Sequence, residues 1–299
     1  MAKNPWLRAR IPRLPFAQRA VRRFMPGEGP DSALAASRAF AGEGIGSLFT
    51  RLGENLTDLH EAEAVADHYL ELIDRLQVEH LEGEVSLKLT QLGFDLDPDR
   101  AKVHAARLAD RAAVTGAWLW LDMEGSAYTE ATVALYERLK SDHPNVGLCL
   151  QAYLRRTAAD VQRLLPLEPA IRLVKGAYAE SAAVAYQTRR EVDTNYVALT
   201  VAMMEAKARG RAVRIGLGTH DVTLIRQLAE HARALGLGLD AFEVQMLYGI
   251  RVDEQRRLAA EGFPVKDLIA YGPAWYAWYM RRLAERPANV MFALRQLLP

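Results

Sequence analysis

The sequence predicts an α/β protein built as a (β/α)8 barrel, TIM-like and distorted in detail. Eight short apolar runs alternate with longer amphipathic stretches, and that alternation in roughly 250 residues is the pattern of such a barrel. Each run is bounded by Gly, Pro, Asp or a charge, as strands covered on both faces are. The stretches between runs place apolar residues at helical spacing.

The runs are 46–52 (GSLFTRL), 84–90 (EVSLKLT), 117–122 (AWLWLD), 146–151 (VGLCLQ), 170–175 (AIRLVK), 212–218 (AVRIGLG), 240–246 (DAFEVQM) and 264–270 (PVKDLIA). Between the first two, Leu59, Ala62, Ala66, Tyr69, Leu70 and Ile73 form one apolar stripe, and Thr57-Asp58 supplies residues suited to cap its start. A doubly wound open sheet is the alternative. Such a sheet binds a dinucleotide at a glycine-rich turn after its first strand, whereas Gly42, Gly44 and Gly46 come before it. The expected division is an N-terminal helical arm over 1–44 and a catalytic barrel over 45–299.

Half of the chain is apolar and a quarter charged, with a formal net charge of +1. That balance offers no reason to expect nucleic acid. Cys149 is the one cysteine, so no internal disulfide or cysteine zinc site can form, and a reducing cytoplasm is the expected location. No apolar run approaches the roughly 20 residues of a membrane span. The first 27 residues carry Lys3, Arg8, Arg10, Arg13, Arg19, Arg22 and Arg23 without an acid, interleaved with Trp6, Leu7, Ile11, Leu14, Phe16 and Phe24. This segment reads either as a basic face for an anionic membrane surface or as an arm packed on the domain. Pro5, Pro12 and Pro15 interrupt any continuous helix there.

Barrel chemistry belongs at the C-terminal ends of the strands. The ends of the runs carry Glu54, Lys88, Asp122 with Glu124, Gln151, Arg172 with Lys175, Thr219 with His220, and Glu243 with Gln245. One polar strand end is ordinary. A succession of them around one ring implies a basin holding both signs of charge, suited to a zwitterion or a charged cofactor. The last helical stretch adds Arg281, Arg282, Glu285 and Arg286. These form either a surface ion-pair cluster or a guanidinium pair that clamps a carboxylate. The histidines lack metal-ligand spacing, so no metal site is expected.

Seven segments in order carry a family likeness: VSLKLT at 85–90, LDME at 121–124, QAY at 151–153, RLVKGAY at 172–178, THD at 219–221, FEVQMLYG at 242–249 and RRLAERP at 281–287. Together they resemble the proline dehydrogenases, in the short bacterial monofunctional form. The resemblance implies a distorted (β/α)8 barrel that binds FAD without a covalent link. It implies oxidation of L-proline to Δ1-pyrroline-5-carboxylate by hydride transfer to flavin N5, with electrons passed to a membrane quinone. Peripheral contact with the inner membrane face, through the basic N-terminus, would fit that acceptor.

By the same resemblance, Arg281, Arg282 and Lys88 hold the substrate carboxylate, Asp122 lies near Lys88, and Glu54 pairs with Arg282 as a gate. Gln151, Arg172, Lys175, Gly176, Tyr178, Thr219, His220 and Gln245 contact FAD, and Leu247 packs near the substrate ring. Two positions depart from the family pattern. Leu268 stands where members usually have a tyrosine four residues before the glycine of the last loop, and Trp278 replaces a second tyrosine three residues before the arginine pair. Losing those hydroxyls implies a shifted substrate range, such as a substituted proline. Two other readings stay open: an aldolase-type lyase using Lys175 in a Schiff base, and a non-catalytic amino-acid-binding barrel.

Overall fold

The computed structural model describes residues 21–53 and 56–276. Eight parallel strands close in chain order into a barrel. They are β1 (Gly46–Arg51), β2 (Gly83–Lys88), β3 (Trp118–Asp122), β4 (Val146–Gln151), β5 (Ala170–Val174), β6 (Arg214–Gly218), β7 (Glu243–Leu247) and β8 (Val265–Tyr271). Closure comes from β8 pairing with β1 over its whole length, Gly46 opposite Lys266 through Arg51 opposite Tyr271.

The helices among the described residues are α1 (Pro30–Ala41), α2 (Leu59–Val78), α3 (Pro98–Thr115), α4 (Thr129–Asp142), α5 (Thr157–Leu164), α6 (Arg189–Ala208), α7 (Val222–Ala234) and α8 (Val252–Ala260). Their starts follow from side chains that accept orphan backbone N–H groups. Asp58 caps α2 by accepting from the His60 amide, and Asp97 caps α3. Thr188 and Glu191 form a reciprocal capping box on α6.

Strand alternation divides the core. Phe49, Val85, Leu87, Leu119 and Leu121 face outward and join helix residues such as Tyr69, Leu72, Ile73 and Leu108 in one cluster. Full burial of such a side chain contributes about 1.5–3 kcal/mol. Leu48, Trp120 and Ala170 face inward and form a separate plug with Trp118 and Leu268. The barrel is thus filled beneath its mouth, leaving the chemistry to the strand ends.

Two strands begin two or three residues later than their apolar runs suggest. Leu239–Ala241 form a 3-10 turn ahead of β7, so pairing starts only at Glu243. Likewise β6 starts at Arg214, after the turn that follows α6. Ahead of the barrel, α1 packs across β1 and β8, burying Ala33, Leu34 and Phe40. Val21, Phe24 and Met25 bury against Leu52, Ala270, Trp275 and Tyr276. Phe24 therefore packs on the domain rather than facing outward. The basic residues before Val21 lie outside the described residues. No described helix is long and apolar enough to cross a membrane.

Candidate active site

Arg172 is the centre of the polar ring. It points inward from β5 and is 3% exposed. Its Nη1 donates to Asp122 Oδ1 at 2.7 Å and to Ser86 Oγ at 2.9 Å, while its Nε donates to Gln245 Oε1 at 2.5 Å. The Trp120 indole lies 4.7 Å from the guanidinium carbon. Such a cation over an aromatic face is a favourable contact. Ser86 also donates to Asp122 Oδ1, at 2.9 Å. Arg172 Nη2 is buried and has no hydrogen-bond partner among the described residues, and the same is true of Gln151 Oε1. Buried donors and acceptors are nearly always satisfied, so these two atoms have bonding capacity that a ligand could use.

Around that centre the expected residues gather at one end of the barrel. Lys88 ends β2 directly opposite Asp122 on β3. Gln151 ends β4, and Leu247 ends β7 beside Leu268 of β8. Leu268 rests on the inward plug with Leu48 and Trp120. Thr219 and His220 follow β6, where His220 Nε2 accepts from the Leu247 amide at 2.9 Å. That bond makes Nε2 the unprotonated ring nitrogen. Glu124 accepts from the Thr90 amide and hydroxyl. Glu54, Trp278, Arg281 and Arg282 lie outside the described residues. One correction concerns Glu243, which opens β7 and so lies below the mouth rather than at a strand end.

Past β5 the chain turns sharply. Lys175 Nζ stands 2.5 Å from Asp193 on α6 and 3.2 Å from Asp221 before α7. Burial works against ionisation of Asp221, yet the Lys175 ammonium and the Leu224 amide hold its carboxyl below the usual range. Beside this pair a groove of about 690 Å³ runs along the starts of α6 and α7, lined by Arg189, Arg190, Asp193, Thr194, Asp221 and Gln227. Helix starts and guanidinium groups together suit an anion.

Gly176 has φ +119°, and a Cβ there would stand 2.2 Å from the Tyr153 ring. Half-buried Tyr178 follows in the same loop. Gly176→Ala combines a forbidden backbone conformation with a collision, so it is expected to cost about 1–3 kcal/mol. Calorimetry would read this as a Tm several degrees lower, whereas an unchanged Tm would mean the loop relaxes without penalty.

Several participants had no local signal. Ser86 is one small residue inside a strand, and Asp193 and Arg189 sit on a helix with unremarkable charges. Tyr153 was visible only as part of a short motif. Their roles come from closure of the barrel, which joins groups tens of residues apart.

Known proteins resemble this chain along most of its length. The sequence profile described as Proline dehydrogenase matches residues 33–295. Proline dehydrogenase 1 of Bacillus subtilis (strain 168) is 36% identical over 282 residues, covering 93% of this chain and 90% of that protein. Proline dehydrogenase of Deinococcus radiodurans is 37% identical over 281 residues, covering 92% and 89%. Among solved structures, proline utilization A from Bdellovibrio bacteriovorus, inactivated by N-propargylglycine, superposes with a TM-score of 0.82 at 22% identity. The match covers 90% of this chain and 33% of that one, about a third of the larger protein, and it speaks for the fold alone. With a family profile over residues 33–295 and relatives at 36% and 37% identity along nearly their whole length, the chain belongs to the proline dehydrogenase family and is an oxidoreductase.

Proposed function

We propose that the protein oxidises L-proline, or a close ring-substituted analogue, to Δ1-pyrroline-5-carboxylate, using non-covalently bound FAD and passing the electrons on to a quinone. The observation that carries this reading is Arg172, a buried guanidinium braced on three sides with Nη2 left unpaired. The residues fit the cofactor. Arg172 Nη2 and Gln151 Oε1 offer a donor and an acceptor to the polar edge of a flavin ring. Gly176 keeps the turn after β5 free of a side chain, and the groove at the starts of α6 and α7 suits a diphosphate and its nucleoside. When bound, FAD supplies the two-electron acceptor that no amino-acid side chain provides.

The chain's own groups would do the rest. Lys88, with Arg281 and Arg282 in the full site, would hold the substrate carboxylate and fix the reacting ring carbon. Leu247 and Leu268 would wall the methylene side of the ring and exclude water there. Arg172 and Lys175 would place positive charge where negative charge develops. The substrate amine must give up its proton before oxidation, and solvent at the open mouth can accept it.

An aldolase-type lyase would need Lys175 as a neutral amine. Here its ammonium is committed to ion pairs with Asp193 and Asp221, which favours the oxidoreductase reading. The basic segment before Val21 is the part we assign to peripheral contact with an anionic membrane face, with the barrel in the cytoplasm.

Anaerobic titration of the purified protein with L-proline, followed by visible flavin absorbance, tests the reading. Bleaching is the expected result. A yellow protein that bleaches only with substituted prolines would keep the cofactor and trace the change to Leu268 and Trp278. A colourless protein that added FAD does not restore would overturn the assignment.

A further inference from the structure

Glu243 lies on the inner face of β7, two residues below Gln245, in a cluster of charges that the reaction does not use. Arg214 Nη2 donates to both of its oxygens at 2.9 Å, and Lys266 Nζ stands 3.3 Å away. The same two cations also bind Glu84, Arg214 at 2.6 Å and Lys266 in closer contact. Burial opposes ionisation of Glu84, but Lys266 and Arg214 hold its carboxyl below the usual range. Two acids and two bases thus balance one another at the barrel floor.

Two bonds lead upward from this floor: Trp120 Nε1 donates to Glu84 Oε2 at 2.5 Å, and Gln245 Nε2 donates to Glu243 Oε1. A primary amide has one donating and one accepting end. With Nε2 committed to the carboxylate, Oε1 must face Arg172, whose Nε donates to it. A flipped amide would set its NH2 against the guanidinium, donor against donor. Gly216 keeps this space clear, since a Cβ there would stand 2.8 Å from Gln245 Nε2 and 3.5 Å from Arg172 Cα.

We propose that Glu243 is a positioning residue that acts through the Gln245 amide to hold the Arg172 guanidinium at the barrel mouth. The proposal rests on the reading of Arg172 as a group that meets the cofactor. Asp122 and Ser86 fix the Nη1 edge of the guanidinium, and the oriented amide fixes the Nε edge. Together they leave Nη2 pointing in one direction. Without the carboxylate the amide can rotate, and Arg172 can swing about its contact with Asp122.

The test uses the full-length protein, freed of flavin and titrated with FAD by fluorescence. Glu243→Gln is expected to weaken FAD binding about tenfold, the weight of one charge-assisted hydrogen bond. The midpoint potential of the bound flavin should fall as well, because reduced flavin loses a fixed cation. The exchange variant Glu243→Gln/Gln245→Glu should restore affinity to within about threefold. A carboxylate at 245 can only accept from Arg172, and an amide at 243 can donate to it. If the single variant does not fold, the exchange variant decides alone. A folded single variant with unchanged affinity and potential would overturn the proposal, as would an exchange variant that binds no better or fails to fold. An unmutated protein that binds no FAD would overturn the functional reading and this proposal with it. FAD binding together with an indifferent Glu243→Gln would overturn this proposal alone.

Discussion

Arg172→Met is expected to lower kcat/KM for proline about a thousandfold and to leave much of the purified protein without flavin. The rate loss is the upper end of what removing one preorganised donor costs. Stability falls too, because three groups lose their partner at once. Asp122 loses the cation 2.7 Å away, Gln245 Oε1 loses its donor, and Ser86 Oγ loses one of its bonds. Breaking a buried ion pair from one side costs about 3–5 kcal/mol, and the partial exposure of Asp122 places the cost here at the lower end.

The two effects can be separated. Arg172→Met/Asp122→Asn removes the stranded carboxylate, so its Tm should recover much of the loss while kcat/KM stays low. Arg172→Lys keeps the charge but cannot reach Asp122, Ser86 and Gln245 together, and it should fall between the extremes. Rates would be measured at saturating FAD. Activity within tenfold of the unmutated protein in a fully loaded Arg172→Met variant would remove Arg172 from the reacting centre.

The strands were legible because each carries apolar residues in a short run bounded by turn or charged residues, even where inward polar side chains such as Arg172, Glu243 and Lys266 interrupt it. The boundaries of β6 and β7 were less so. Ala212 and Val213 continue one run in hydropathy, and Ala241 and Phe242 the other, while turn geometry keeps them out of the sheet. That shift alone moved Glu243 from the mouth to the floor. Lys88, Asp122, Gln151 and Arg172 could be picked out one by one, yet their pairing could not. Arg172 and Asp122 are 50 positions apart, and only closure of the barrel brings them together. Trp118 and Trp120 read as apolar content, although both hold arginines over their rings. Asp267 read as one more charge in a strand, and burial gives it a different meaning.

Asp267→Asn is expected to stabilise the fold, by little near pH 5 and by roughly 2–4 kcal/mol at pH 9. Asp267 faces outward from β8 beneath α8 and is 0% exposed. Ser47 of β1 and Met246 of β7 flank it in register, and Gln255 Nε2 approaches its Oδ1 at 3.5 Å. No cation is bound to it among the described residues. Asp267 Oδ2, Ser47 Oγ and Gln255 Oε1 have no hydrogen-bond partner there. Burial pushes the carboxyl up to about 8, with the Gln255 contact opposing only in part.

An ordinary aspartate ionises near 3.8. Between that value and about 8 the folded chain therefore keeps a proton that the unfolded chain has released. Stability falls as pH rises through this window and stays low above it. Asparagine does not titrate. It keeps an acceptor for Gln255 Nε2 and adds a donor for the unpaired oxygens. The variant's advantage should therefore grow with pH, and calorimetry at pH 6 and pH 9 would show the Tm gap widening by several degrees. An equal gap at both values would mean that Asp267 does not titrate in this window. A variant less stable at pH 9 would mean that the ionised carboxylate is in use. Gln255 also donates to the carbonyls of Leu247 and Ile250, so this acid braces the loop after β7 from behind. Leu247 lies on the mouth side of that loop. Ionisation of Asp267 should for that reason loosen the site wall before it unfolds the barrel, and Asp267→Asn should hold the wall in place at alkaline pH.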